Sequence, residues 1–188
     1  VTDIFHHFAK TNEFVADSFI VFIKSNGHNV TFNHFEVSYT LWFGGVDCSC
    51  LAAEAFAKYL AENPEGAYTP AALYYSADCL SEAGDKEGAV AQLNRLTAMY
   101  YNSYTQRGYE KLAQISASTS DFGTAAEAYK KVVEVAQTPA KRREALEQYL
   151  AAVVASGQGG QTVVDAADWV ISAEDVTPQL VRKAKLQK

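Results

Sequence analysis

GDKEGAVAQLNRL at residues 84–96 and DFGTAAEAYKKVV at residues 121–133 decide the fold of this chain. Each sets a small residue, then Leu or an aromatic four positions on, then an apolar residue three further: Ala89/Leu93/Leu96 and Ala125/Tyr129/Val132. LAAEAFAKYLAENP at residues 51–64 repeats the motif with Ala52/Phe56/Tyr59. Spacings of four and three bring all three side chains onto one helical face. The anchoring alanines recur at intervals of 37 and 36 residues, and a weaker fourth copy follows at Val163, Ala167 and Val170, after the loop Gly157–Gly160.

Between these helices lie partners with the same period. Thr69–Glu82 carries Leu73, Ala77 and Leu80; Tyr109–Ser116 carries Tyr109, Leu112 and Ala113; Ala145–Val154 carries Leu146, Tyr149, Leu150 and Val154. Short turns at 83–85, 118–121 and 156–160 join each pair, and Asp85 and Asp121 suit helix starts, where a short carboxylate accepts from first-turn amides. Antiparallel helices approach closely only where one surface is small, and the opposing Leu or Tyr fills the groove beside it. No pair buries both its faces, so neighbours must stack into a curved array.

Composition agrees. A chain of 188 residues that is 48% hydrophobic has the material for a core, and only four prolines argue against an all-β protein rich in tight turns. The net charge is −6 with Lys and Arg scattered, so no basic stripe points to nucleic acid. No apolar run reaches the ~18 residues of a transmembrane segment. Cys48, Cys50 and Cys79 make neither a disulfide framework nor a zinc site. His6 and His7 point about 100° apart on a helix and, with His28 and His34, lack the spacing and acidic partners of a metal site. The start at Val1, and a helix from Pro178 that stops at Lys188 without a cap, read as a piece of a longer protein.

Alanine divides the chain near Val46: eight of the ten phenylalanines and all four histidines precede it. Two domains are expected, residues 1–34 and a repeat array over 35–188. Within the first, Ile4, Phe8, Val15, Phe19 and Phe22 fall near one helical face, while Ser18–Lys24, Asn26-Gly27 and Val30 onward also suit a β-hairpin. A repeat beginning at Ala52 needs a preceding partner, taken from Asn33–Phe43, which favours helices; the hairpin stays the alternative.

The small–large pattern, the Gly84-Asp85 turn and the helix-ending Asn63-Pro64 resemble the tetratricopeptide repeat (TPR) family across about residues 35–188. The resemblance implies an all-α fold, a right-handed α-α superhelix of stacked antiparallel pairs. FAKYLAENPEGAYTPAALYYSADCLSEAGD, residues 56–85, is most similar to repeats of bacterial envelope proteins, the outer-membrane assembly lipoprotein and the periplasmic cell-division coordinator. That implies a periplasmic or outer-membrane-associated home, with a cytoplasmic one left open. The chain departs from the family in lacking its Trp at the start of the first helices, in repeats longer than ~34 residues, and in a fourth copy without the large aromatic, whose space Trp169 is expected to fill.

The resemblance further implies that first helices line a concave surface holding a peptide or partner protein. By position these give Tyr74, Asp78 and Ser81, then Arg107, Glu110 and Gln114, then Glu144 and Glu147. Such a mixture of carboxylates, hydroxyls and one Arg suits a segment carrying positive charge or free backbone amides; the alternative is an ordinary solvated helix face. Tyr100, Tyr101 and Tyr104 either pack between repeats, the less costly arrangement, or form an exposed anchor. Lys141-Arg142-Arg143 at a helix start is unfavourable to the dipole and reads as a solubility device. No GxSxG, P-loop, HExxH or dinucleotide fingerprint is present, and neither catalytic residues, a cofactor nor a metal is expected. The leading expectation is therefore a non-catalytic scaffold, with self-association open. The alternative is a carbohydrate or cell-wall-associated envelope factor using the aromatic-rich N-terminal part.

Overall fold

The computed structural model describes the backbone of residues 22–25 and 28–31, and residues 47–188, with side chains described at Ala53 and from Phe56 onward. The chain divides into two units, Val1–Gly45 and Val46–Lys188. In the first, β1 (Phe22–Ser25) pairs antiparallel with β2 (His28–Thr31), Phe22 opposite Thr31 and Ser25 opposite His28. The two strands are separated in sequence by Asn26-Gly27, a pair that favours the tightest hairpin connection. The expected helices around Ile4–Phe19 and Asn33–Phe43, with His6, His7 and His34, lie outside the described residues.

The second unit is all-helical: α1 (Asp47–Glu62), α2 (Thr69–Glu82), α3 (Lys86–Thr97), α4 (Thr105–Ser118), α5 (Phe122–Val135), α6 (Pro139–Ala155), α7 (Gly160–Ser172) and α8 (Pro178–Gln187). Each helix packs on the next in chain order, and α6 also meets α8. This is the serial neighbour-to-neighbour packing of a stacked array. The anchoring positions sit in the core as their spacing predicts: Ala89, Leu93, Leu96, Ala125, Ala167 and Val170 have no exposed surface, and Phe56, Tyr59 and Val132 are buried beside them.

The turns inside the pairs are built twice from the same parts. Gly84, at φ +89°, closes α2 in the left-handed region; its N–H donates to the Ser81 carbonyl at 3.2 Å, and the Asp85 N–H donates to that of Leu80 at 2.9 Å. Thirty-six residues on, Ser120 takes φ +63°, with the Ser120 N–H on Ala117 at 3.1 Å and the Asp121 N–H on Ser116 at 2.9 Å. These bonds satisfy carbonyls that a helix end leaves open. The following aspartates then cap the second helices, Asp85 accepting from the Gly88 N–H at 2.8 Å and Asp121 from the Thr124 N–H at 3.1 Å. A hydrogen bond to its charged form holds the Asp121 carboxyl below the usual carboxylate range.

Small residues also serve the junctions between pairs. A Cβ on Gly108 of α4 would stand 2.8 Å from Cδ2 of the buried Leu96 of α3, so the two helices approach across a glycine. Ala72 and Ala145, at the equivalent places in α2 and α6, are buried too. In the last pair Trp169 lies edge-on to Tyr149 with ring centroids 4.9 Å apart, and the Lys130 ammonium lies over it at 5.8 Å, while the position of the second-helix aromatic is held by the fully buried Ala167. Every buried side-chain nitrogen or oxygen among the described residues has a hydrogen-bond partner. No helix there is long and apolar enough to cross a membrane.

Candidate partner-binding face

The first helices of successive pairs, α2, α4 and α6, carry the eight residues that position singled out. At their centre is a tyrosine cluster. Tyr74 and Tyr75 on α2 meet Tyr104, the residue just before α4, with centroid distances of 5.6 and 5.8 Å, and Phe56 of α1 stacks on Tyr75 at 6.3 Å. Tyr74 is half-buried, and burial pushes its phenol up, with the Asp78 carboxylate adding and Lys111 and Arg107 opposing. Tyr74 and Asp78 stand one turn apart on α2, and Arg107 and Glu110 one turn apart on α4; the two helices meet through the Tyr74–Tyr104 rings and the Asp78–Lys111 pair.

Lysines that the sequence mapping passed over engage the carboxylates of these helices. Asp78 accepts from the Lys111 ammonium of α4, both side chains about three-quarters buried. Burial alone depresses the Lys111 ammonium, but the hydrogen bond and charge of Asp78, helped by Tyr74 and Glu82, turn the net shift upward. Glu110 accepts from the Gln106 amide at 2.9 Å and lies 4.0 Å from Lys141 of α6, whose ammonium also bonds Glu144 at 3.0 Å. Glu147 pairs with Lys183 of α8 at 2.6 Å. The result is a ladder of contacts from each first helix to the next, spanning 33, 31 and 36 positions.

The remaining predicted residues are less engaged. Ser81 accepts a hydrogen bond from Lys86 of α3 at 3.0 Å, which ties it within its own pair, and Gln114 is exposed. Arg107 is exposed, and no carboxylate lies within ion-pairing distance of it among the described residues. The basic run at the start of α6 is not simply solvated: besides the Lys141 contacts, Arg142 bonds Asp175, in the loop before α8, at 3.0 Å. Of the three tyrosines before α4, only Tyr104 packs. Tyr100 is 98% exposed and Tyr101 61%, which corrects the burial expectation for both. The 98–104 loop projects Tyr100 outward, while the Tyr101 hydroxyl reaches the Gln137 amide at 3.1 Å and the Gln137 N–H bonds Gln106 at 3.1 Å.

These repeated turns and alanine-nested pairs make a stacked array of antiparallel helix pairs. No protein-family model matches the chain, and no curated protein does. Solved structures similar to it include a Podosopora anserina protein described as a kinesin light chain with nearly identical TPR-like repeats, and a single-substitution variant of that protein. Each is 16% identical at a TM-score of 0.49, over 74% of this chain and 78% of the other. Among the described residues no three His, Cys, Asp or Glu side chains are grouped to hold a metal.

Proposed function

We propose that the array is a non-catalytic protein–protein interaction scaffold that holds a peptide or partner protein along the face of α2, α4 and α6. The observation that carries this is the joining of α2 and α4 through Tyr74 against Tyr104 and Asp78 on Lys111, on the helices that also carry Arg107 and Glu110. Aromatic rings with a polar handle, set beside an arginine, are the residue types that dominate binding energy at protein interfaces. The packing that sets the spacing of the first helices supports the reading, because a face already ordered before any partner arrives lowers the ordering cost of association.

Affinity capture with the whole chain, followed by titration, tests it. A protein or peptide that binds stoichiometrically and is lost with Tyr74→Ala supports the scaffold. Saturating partner screens that return nothing, while a glycan or metabolite binds stoichiometrically, overturn it in favour of the carbohydrate alternative. We also propose a bacterial envelope setting, periplasmic or outer-membrane-associated, on the likeness of residues 56–85 to envelope repeats. Recovery of the native protein in the cytosolic fraction of its source cells contradicts that setting.

A further inference from the structure

The loop between α3 and α4 carries side chains that neither the core nor the first-helix face uses. Tyr100 is 98% exposed and Tyr101 61%, yet the backbone that bears them is fixed. Asn102 Nδ2 donates to the Tyr100 carbonyl at 3.0 Å, Asn102 Oδ1 accepts from the Tyr104 N–H at 2.9 Å, and the Asn102 N–H donates to the Thr105 hydroxyl at 2.9 Å. The Tyr101 hydroxyl accepts from the Gln137 amide and so joins this loop to the one before α6. No Asp, Glu, Lys or Arg occurs in residues 96–106 or 135–140, in a chain that is 20% charged. The joined loops therefore present two tyrosines together with the exposed Ser103, Gln137 and Thr138, and no formal charge.

We propose that this edge is a binding site for a neutral oligosaccharide, with a pyranose ring seated on the face of Tyr100 and its hydroxyls met by polar side chains of the two loops. The face of an aromatic ring is its negative side, and the C–H bonds of a sugar, polarised by the oxygens beside them, meet it favourably. Hydroxyl and amide side chains both donate and accept, as sugar hydroxyls do. A backbone already held in place lowers the cost of ordering a ligand on it. A nucleic acid or an anionic lipid surface needs cations that these two stretches lack. A protein partner needs a wider dry patch around its anchors. The other exposed large apolar side chains among the described residues, Val154 and Leu186, lie in the last turns of α6 and α8, whereas this loop leads into the first turn of α4 and bonds the residues just before α6.

Isothermal titration calorimetry of the full 188-residue chain tests this with cellohexaose, maltohexaose and hexa-N-acetylchitohexaose as neutral probes and hexagalacturonate as the charged one. At least one neutral probe is expected to bind about tenfold more tightly than hexagalacturonate. Tyr100→Ala should weaken that binding by about tenfold, while Tyr100→Phe, which keeps the ring face, should weaken it by less than about threefold. Leu186→Ala, at the other highly exposed apolar side chain, should leave it unchanged. Circular dichroism confirms that each variant keeps its helices. Absence of binding by every neutral probe at millimolar sugar, a preference for hexagalacturonate, or binding that survives Tyr100→Ala overturns the inference. Each of these outcomes leaves the scaffold reading to its own test by protein capture.

Discussion

Three backbone positions show how a single side chain sets this architecture. Gly108 lets α4 meet α3 over Leu96, a residue with no exposed surface and so no room to yield. Helix propensity alone would make Gly108→Val slightly favourable; the clash should instead cost about 1–3 kcal/mol in urea denaturation. Ser120 occupies the left-handed position that its counterpart Gly84 takes without strain. Ser120→Gly should therefore raise stability by about 0.5–1 kcal/mol, the relief of left-handed strain outweighing the added freedom of the unfolded chain. Asp121 caps α5, and Asp121→Ala should cost about 1 kcal/mol at neutral pH. Because its carboxyl titrates lower in the folded state than in the unfolded one, the contribution is complete above the unfolded value near ~3.9 and fades as pH falls through the folded one. Denaturation midpoints of variant and parent should accordingly converge in strong acid; a gap that persists there rules out the cap as its source.

At the scale of helices, what sequence makes legible divides by periodicity. The second helices were readable because Ala89, Leu93 and Leu96 recur at helical spacing and a second time as Ala125, Tyr129 and Val132. The turn aspartates were readable for the same reason. The ladder was not, since Asp78–Lys111, Glu110–Lys141 and Glu147–Lys183 join residues whose separations follow no fixed number. Which lysine meets which carboxylate depends on the angle between successive pairs, and that angle is set by packing. Tyr100 and Tyr101 defeated the expectation of burial because their loop, not a helix face, decides where they point. The ladder itself is graded by burial. Lys111→Met strips the partner from a carboxylate that is about three-quarters buried and should cost about 1 kcal/mol, whereas Lys183→Met at an exposed pair should change stability by less than about 0.5 kcal/mol. Equal costs in thermal denaturation at matched salt contradict this ranking.

Across the whole array, stability is the sum of many similar junctions, each between a helix and its immediate neighbours. The scaffold proposed above would use the one face that the first helices α2, α4 and α6 share. All of this depends on alanines that permit close approach. The decisive comparison is urea denaturation of Ala125→Leu, at a site with no exposed surface, beside Ala151→Leu, at an exposed site on α6. Overpacking should cost the first about 1–3 kcal/mol and leave the second within about 0.5 kcal/mol of the parent. If Ala125→Leu is as stable as the parent, the pairs are not nested on their alanines and the account fails.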